Sequence, residues 1–366
     1  MILLRQGDSC ASPLPELLIL AEPLSMSGRY RKQTLFAGLG EAGQDRLRSA
    51  SVALIGCGAL GSVIAESLVR AGVGTLRLVD RDFVELSNLQ RQVLYDEDDV
   101  ARRLPKAIAA SEKLQRINSE VSLSPLVSDV NCHNILSLIE GADVVLDGTD
   151  NFETRFLIND ACMELSIPWI HAGCVGSHGQ TMTVIPHETP CLRCLMPEAP
   201  GVGAGESCDT AGVIGPAVQI MASLQVVDAL KILSGHRELI SPRMTIVDVW
   251  EGTFRHWNLS HLDRSHCPCC SGTERPWLNG ERGTQSTVLC GRNSVQLTPT
   301  ESGINFDSLK ERLTPLGAVR VNPFLMVFQP ADAQAELTLF RDGRAIITGT
   351  EDIAIARSLY ARYIGT

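Results

Sequence analysis

A chain of 366 residues, 44% hydrophobic and 20% charged, has room for two to three domains and at least one large core. Its 42 acidic against 32 basic side chains leave a net charge of −10, the wrong sign for a protein whose whole surface binds nucleic acid. The sequence shows no apolar run of the ~18 residues that span a membrane; twelve cysteines without an export signal point to a reducing, cytoplasmic setting, where thiols serve as metal ligands, catalytic groups or small core residues. Residues 1–27, broken by Pro13, Pro15 and Pro23, read as a disordered leader, with Met26 as an alternative start. Residues 30–36 and 41–49 read as short amphipathic helices. From there apolar runs alternate with amphipathic stretches: strand 51–55, helix 60–71, strand 75–79, helix 105–117, strand 121–126, short helix 134–139, strand 144–147, helix 152–165, then strands 169–172 and 181–185. Short apolar strands joined through helices make a parallel sheet covered on both faces. The expected fold is therefore α/β, a Rossmann-like, doubly wound, mostly parallel sheet. Residues 186–211 are a long irregular stretch rich in Gly, Pro and Cys, followed by an apolar helix at 216–233 and closing strands at 244–249 and 254–259. The large domain is bounded at 28–272 and a linker at 273–287. Residues 288–366 form a small α+β module: strand 294–297, helix 306–313, strands 319–327, 336–339 and 344–347, and helix 353–363, with Arg341-Asp342-Gly343-Arg344 as a hairpin turn.

Gly56-Cys57-Gly58-Ala59-Leu60-Gly61 stands between the first strand and the first long helix. Glycines there permit a sharp turn and close backbone approach to phosphate, and the helix start offers free N–H groups. Asp80, at the end of the second strand, can accept from ribose hydroxyls. Together these point to an adenine nucleotide. A triphosphate needs more cations than a dinucleotide lying on a helix dipole, above all if pyrophosphate must leave. Arg91, within Ser87-Asn88-Leu89-Gln90-Arg91-Gln92, and Lys106, after Pro105 at a helix start, are candidate clamps; the alternative is that both are solvated surface cations. Asp150, in Asp147-Gly148-Thr149-Asp150-Asn151, follows a strand whose carboxyl end faces the crevice. It reads either as a magnesium ligand or, like Asn151, as an N-cap for the next helix.

These blocks, in this order, resemble the ThiF/MoeB family of adenylyltransferases, relatives of ubiquitin-activating enzymes. Cys191-Leu192-Arg193-Cys194 and the block from Cys208 to Pro216 agree with it, and the resemblance runs from about Arg29 to Gly272. It implies ATP-dependent adenylation of the C-terminal glycine of a ubiquitin-like sulfur-carrier protein ending in Gly-Gly, of the ThiS or MoaD type, with release of pyrophosphate. It implies that Gly56, Gly58, Gly61 and Asp80 hold the adenosine side, that Asn88, Arg91 and Lys106 hold the phosphates, and that Asp150, with Asn151 beside it, holds Mg²⁺. It also implies a homodimer, in which an Arg reaches the partner's ATP site; here Lys32 takes that place, beside Arg31. A sulfur-donor protein is a further expected partner, nucleic acid and membrane are not. Two other readings compete: an NAD-dependent oxidoreductase on the same nucleotide fold, and a zinc-stabilised binding scaffold without catalysis.

Cys191-x-x-Cys194 and Cys267-Pro268-Cys269-Cys270 can supply four thiolates to a closed, structural zinc site. Within the second hook Cys269 competes with Cys270; the hook spacing and the resemblance favour Cys191, Cys194, Cys267 and Cys270. Cys208 stands alone in a Gly-rich loop before a helix. In several relatives this Cys binds the carrier covalently, and in others it is dispensable. Cys57 reads as a packing residue, and Cys10, Cys132, Cys162, Cys174 and Cys290 have no partner spacing. The C-terminal module is too short for a sulfurtransferase domain and reads as a docking or dimer-supporting unit.

Overall fold

The structure, a computed structural model, describes residues 26–200, 208–272, 274–282, 286–289, 293–297 and 304–365. Cys10, Cys290, the Cys208 side chain and most of the expected leader lie outside the described residues. Met26–Arg29 and Arg31–Thr34 are single helical turns.

The large domain is built on one sheet of eight strands: β1 (Ser51–Ile55), β2 (Thr75–Asp80), β3 (Ser122–Val127), β4 (Val144–Asp147), β5 (Trp169–Val175), β6 (His178–Val184), β7 (Arg243–Asp248) and β8 (Thr253–Asn258). Their order is β3-β2-β1-β4-β5-β6-β7-β8. The first five run parallel, and β6 to β8 extend the sheet as an antiparallel meander. Side chains alternate across β1. Val52 and Leu54 pack with helices Ala59–Ala71, Lys106–Ile117 and Gly215–Leu233. Ala53 and Ile55 pack with helices Ile135–Ile139 and Phe152–Leu165. A strand covered on both faces needs apolar residues at every position, which is why β1 and β4 are apolar runs rather than alternating ones.

Helix Ala59–Ala71 ends on Gly72, whose φ of +80° supplies the left-handed turn that closes it. Helix Gly215–Leu233 is long and apolar enough to cross a bilayer by length and composition alone, a property the sequence reading had not assigned. Its Val218, Met221, Ala222 and Ala229 are instead buried in the core of the large domain. That is the packing of a core helix.

The C-terminal module is a second, antiparallel sheet: β9 (Ser286–Leu289), β10 (Ser294–Leu297), β11 (Gly317–Val321), β12 (Leu325–Pro330), β13 (Glu336–Phe340) and β14 (Ala345–Thr348), in the order β11-β12-β13-β14-β10-β9. The single strand expected over 319–327 is two strands of a hairpin. Asn322 breaks the run: its side-chain oxygen accepts the amides of Phe324 and Leu325 across Pro323. Helices Phe306–Leu313 and Ile353–Tyr363 cover one face. The other face, Leu325, Val327, Phe340 and Ile346, packs on Phe83 and Val127 of the large domain. The expected linker is not a free tether. Trp277 donates its amide to Asp160 and sits 5.4 Å from the Phe156 ring, and Ser286 opens β9.

Phe328 is fully buried against Tyr363 in the module's core, ring centroids 5.1 Å apart. Phe328→Ala should lower the stability of the module by about 3–5 kcal/mol, read as an earlier transition in urea unfolding followed by tryptophan-independent far-UV dichroism.

Candidate functional site

The glycine turn is shaped by close approach of three backbones. Gly56 has φ +92°, and a Cβ there would meet the Gly148 backbone at 2.7 Å. A Cβ on Gly61 would overlap the Gly56 carbonyl. The first helical turn is thereby pressed against the end of β1, beside the loop after β4. Gly58 differs: a Cβ there would meet only the Gln92 amide, at 3.8 Å. Its backbone borders an open cradle at the helix start, where the first amides have no intrahelical acceptor. Gln92 is buried, and its Oε1 has no hydrogen-bond partner among the described residues. An unpartnered buried acceptor beside an open glycine cradle fits a ligand with hydroxyl donors.

Asp80 is buried at the carboxyl end of β2. Its oxygens accept the Cys57 amide at 2.6 Å and the Asp82 amide at 2.7 Å. It therefore ties the glycine turn to its own strand while keeping lone pairs for a ribose. Burial pushes its carboxyl above the ordinary range, against the pull of the Lys106 charge. Lys106 is only 4% exposed, and its ammonium lies 3.1 Å from Asp82. The alternative of a solvated surface cation does not hold for Lys106. Tyr95, which the sequence reading passed over, is buried and donates its hydroxyl to the Cys57 carbonyl at 2.7 Å, with the Lys106 carbonyl at 3.2 Å. It locks the glycine turn to the start of the lysine's helix.

Asn88 is buried as the end of a one-turn helix, Leu86–Asn88, and accepts the Glu85 amide. Arg91 lies half-buried on the next turn and donates to the Ser87 carbonyl at 3.0 Å. The Gln90 carbonyl is within 3.4 Å of a Cβ placed on Gly215, so this arm meets the start of helix Gly215–Leu233. Cys208 heads a single helical turn, Cys208–Ala211, a few residues upstream.

The loop after β4 resolves the choice between capping and free carboxylate. Asn151 is the cap, accepting the Thr154 amide at 2.8 Å. Asp150 is left exposed, within the field of Arg81. Beneath it lies a network the sequence reading missed. Asp147, fully buried, accepts from Arg155 at 3.2 Å, His171 at 2.9 Å and the Thr149 hydroxyl at 2.6 Å. Arg155 also donates to the carbonyls of Thr149 and Ala172. Burial pushes the Asp147 carboxyl up, but the Arg155 charge and the His171 hydrogen bond outweigh it and hold it below its ordinary value. Burial likewise lowers His171, which donates as neutral imidazole.

The four sulfurs of Cys191, Cys194, Cys267 and Cys270 lie within 4.8 Å of one another. Neighbouring pairs are 3.9, 3.7 and 3.5 Å apart. A tetrahedral ion with bonds of about 2.3 Å sets its sulfurs about 3.8 Å apart, so the cluster can hold a metal without rearrangement. Cys269 faces elsewhere: its sulfur takes the Asn159 amide at 3.3 Å and lies 3.7 Å from Arg275.

The ThiF family profile matches residues 30–269, across the glycine turn, the strand-end acids and three of these four cysteines. The chain belongs to the ThiF family. A Bacillus subtilis (strain 168) relative, sulfur carrier protein ThiS adenylyltransferase, is 46% identical over 342 residues, 93% of this chain and 100% of that one. An alignment that long necessarily extends into the C-terminal module. The SAMP-activating enzyme E1 of Haloferax volcanii is 38% identical over 242 residues, 66% of this chain and 88% of its own. Among solved structures, E. coli MccB with MccA-N7isoASN superposes with a TM-score of 0.60 at 24% identity, over 68% of this chain and 75% of that one, a likeness of fold.

Arg155→Met leaves the Asp147 carboxylate buried without its main counter-charge. It should cost about 3–5 kcal/mol of stability at neutral pH. Because Asp147 titrates below its unfolded value, the gap to wild type should narrow as the pH falls through about 4, checked by urea unfolding across pH.

Proposed function

We propose that this protein adenylates the C-terminal glycine of a ubiquitin-like sulfur-carrier protein with ATP, releasing pyrophosphate. The observation that carries this reading is the full-length match to a ThiS adenylyltransferase, coupled to a crevice that gathers the glycine turn, Asp80, Lys106 and the Asp150 loop at the carboxyl ends of neighbouring strands. The helix start and Gly58 cradle the nucleotide, Asp80 accepts from the ribose, and Asn88, Arg91 and Lys106 face the phosphates. The carrier's carboxylate, with an intrinsic pKa of about 3.5, is already an anion at neutral pH and needs no general base. The protein's task is to align that anion with the α-phosphorus and to stabilise charge on the leaving pyrophosphate, which Lys106 and Arg91 do. Asp150 with Asn151 would hold Mg²⁺, which supplies charge neutralisation on the phosphates. Cys208 enters only afterwards, as a thiolate that attacks the acyl carbonyl of the adenylate, forming a thioester with the carrier's glycine and expelling AMP, before a sulfur-donor protein acts.

The protein partner is supported by an exposed apolar patch: Phe254 on β8 beside Ile220, Leu224 and Val227 of the core helix. Arg31 and Lys32 are exposed on their own turn, which suits a role in the ATP site of a second copy in a homodimer. The four-cysteine cluster is proposed as a structural zinc site, closed to substrate because all four positions are thiolates.

With a Gly-Gly carrier the protein should exchange labelled pyrophosphate into ATP. Arg91→Ala and Asp150→Ala should each slow exchange at least about a hundredfold, and Cys208→Ala should leave it near wild type; no exchange with any Gly-Gly carrier would refute the reading. One zinc per chain should copurify with the wild type and with Cys269→Ser but not with Cys194→Ser, which should also melt earlier. Metal content by plasma mass spectrometry checks this.

A further inference from the structure

We propose that the C-terminal module forms the nucleoside-side wall of the ATP crevice in cis, with Arg344 as its positioning residue. This rests on the ATP-dependent reading above. In a sheet of this order the phosphates lie at the glycine turn and the ribose at the acidic end of β2, so the nucleoside points toward the ends of β2 and β3. The module grips that corner. Its apolar face covers Phe83 and Val127, which flank the ends of those two strands. Its Gln296 donates to one oxygen of Asp129 at 2.9 Å, while Arg81 donates to the other at 3.0 Å. Asn322 donates to the Arg103 carbonyl, and Glu336 pairs with the Arg103 side chain, just upstream of Lys106.

Arg344 is the centre of this contact. It is 1% exposed, stacks 3.8 Å from the Phe340 ring, and donates from Nη2 to the Arg81 carbonyl at 2.8 Å. Its Nε is 3.6 Å from Asp342, and neither Nε nor Nη1 has a hydrogen-bond acceptor among the described residues. A guanidinium buried with so few acceptors is costly. What it secures is the peptide in the middle of Asp80-Arg81-Asp82, whose two carboxylates set the glycine turn and Lys106. Phe83 bridges to Pro105 in the same segment, so the module holds both strands of chain that carry the site's acid and its lysine.

The test compares the full chain with Arg344→Met, which keeps bulk and loses the donors. Mg-ATP affinity is titrated calorimetrically without carrier, and pyrophosphate exchange is measured with it. Arg344→Met should bind ATP about tenfold more weakly and raise KM for ATP in step, with kcat within about twofold and KM for carrier unchanged. Arg344→Lys should recover part of the affinity. Leu337→Ala, in the module's other core, should lower the melting temperature without weakening ATP. Should Arg344→Met not fold, Gln296→Leu carries the same test with a loss of about threefold. ATP affinity unchanged in Arg344→Met, or weakened equally by Leu337→Ala, would overturn the module's role alone. A wild type that binds no ATP would overturn both this role and the reading it rests on.

Discussion

Everything at the crevice depends on one steric fact: the Gly56 carbonyl occupies space that side chains at positions 61 and 148 would need. The end of β1, the start of the helix after it and the loop after β4 therefore meet backbone to backbone. That contact brings the helix amides, the β2 acid and the Asp150 loop within reach of one ligand. No side-chain interaction could substitute for it, because any Cβ would push the elements apart.

Around this contact the protein spends buried charge. Asp80 is satisfied by two amides, Lys106 by Asp82, and Asp147 by Arg155, His171 and Thr149. Each pair fixes a loop that regular hydrogen bonding leaves free, since the strands end where the ligand begins. Asp150, left exposed, and Arg91, half-buried, are the charges the proposed chemistry needs for metal and phosphate. Rigidity below and exposed charge above is the arrangement expected of a site that works by alignment and electrostatics rather than by a general base.

Much of this was legible in the sequence because it follows from local rules. Buried parallel strands must be apolar throughout, so β1 and β4 stood out, and the glycine block marked the turn between strand and helix. The helices at 306–313 and 353–363 were visible from their periodicity. The hairpin at 317–330 was not, because Val319 through Val327 reads as one apolar run unless Asn322 and Pro323 are weighed as a turn. The Asp147–Arg155–His171 network was missed for a different reason: its members come from a strand end, a helix and a second strand, and only the tertiary fold joins them. For Lys106 spacing left surface and buried readings open, and burial against Asp82 decided between them. The same holds for Cys269 and Cys270, where spacing allowed both and the fold turned one sulfur toward Asn159.

The central claim is that a glycine carboxylate is joined to AMP. Hydroxylamine trapping tests it most directly. Carrier, ATP, Mg²⁺ and this protein are incubated with hydroxylamine, and the carrier's C-terminal peptide is analysed by mass spectrometry. An acyl-adenylate transfers its acyl group to the hydroxylamine nitrogen and expels AMP. The account predicts a hydroxamate on the terminal glycine, one AMP released per hydroxamate, and neither product without ATP. An unmodified terminus while ATP is consumed would contradict it.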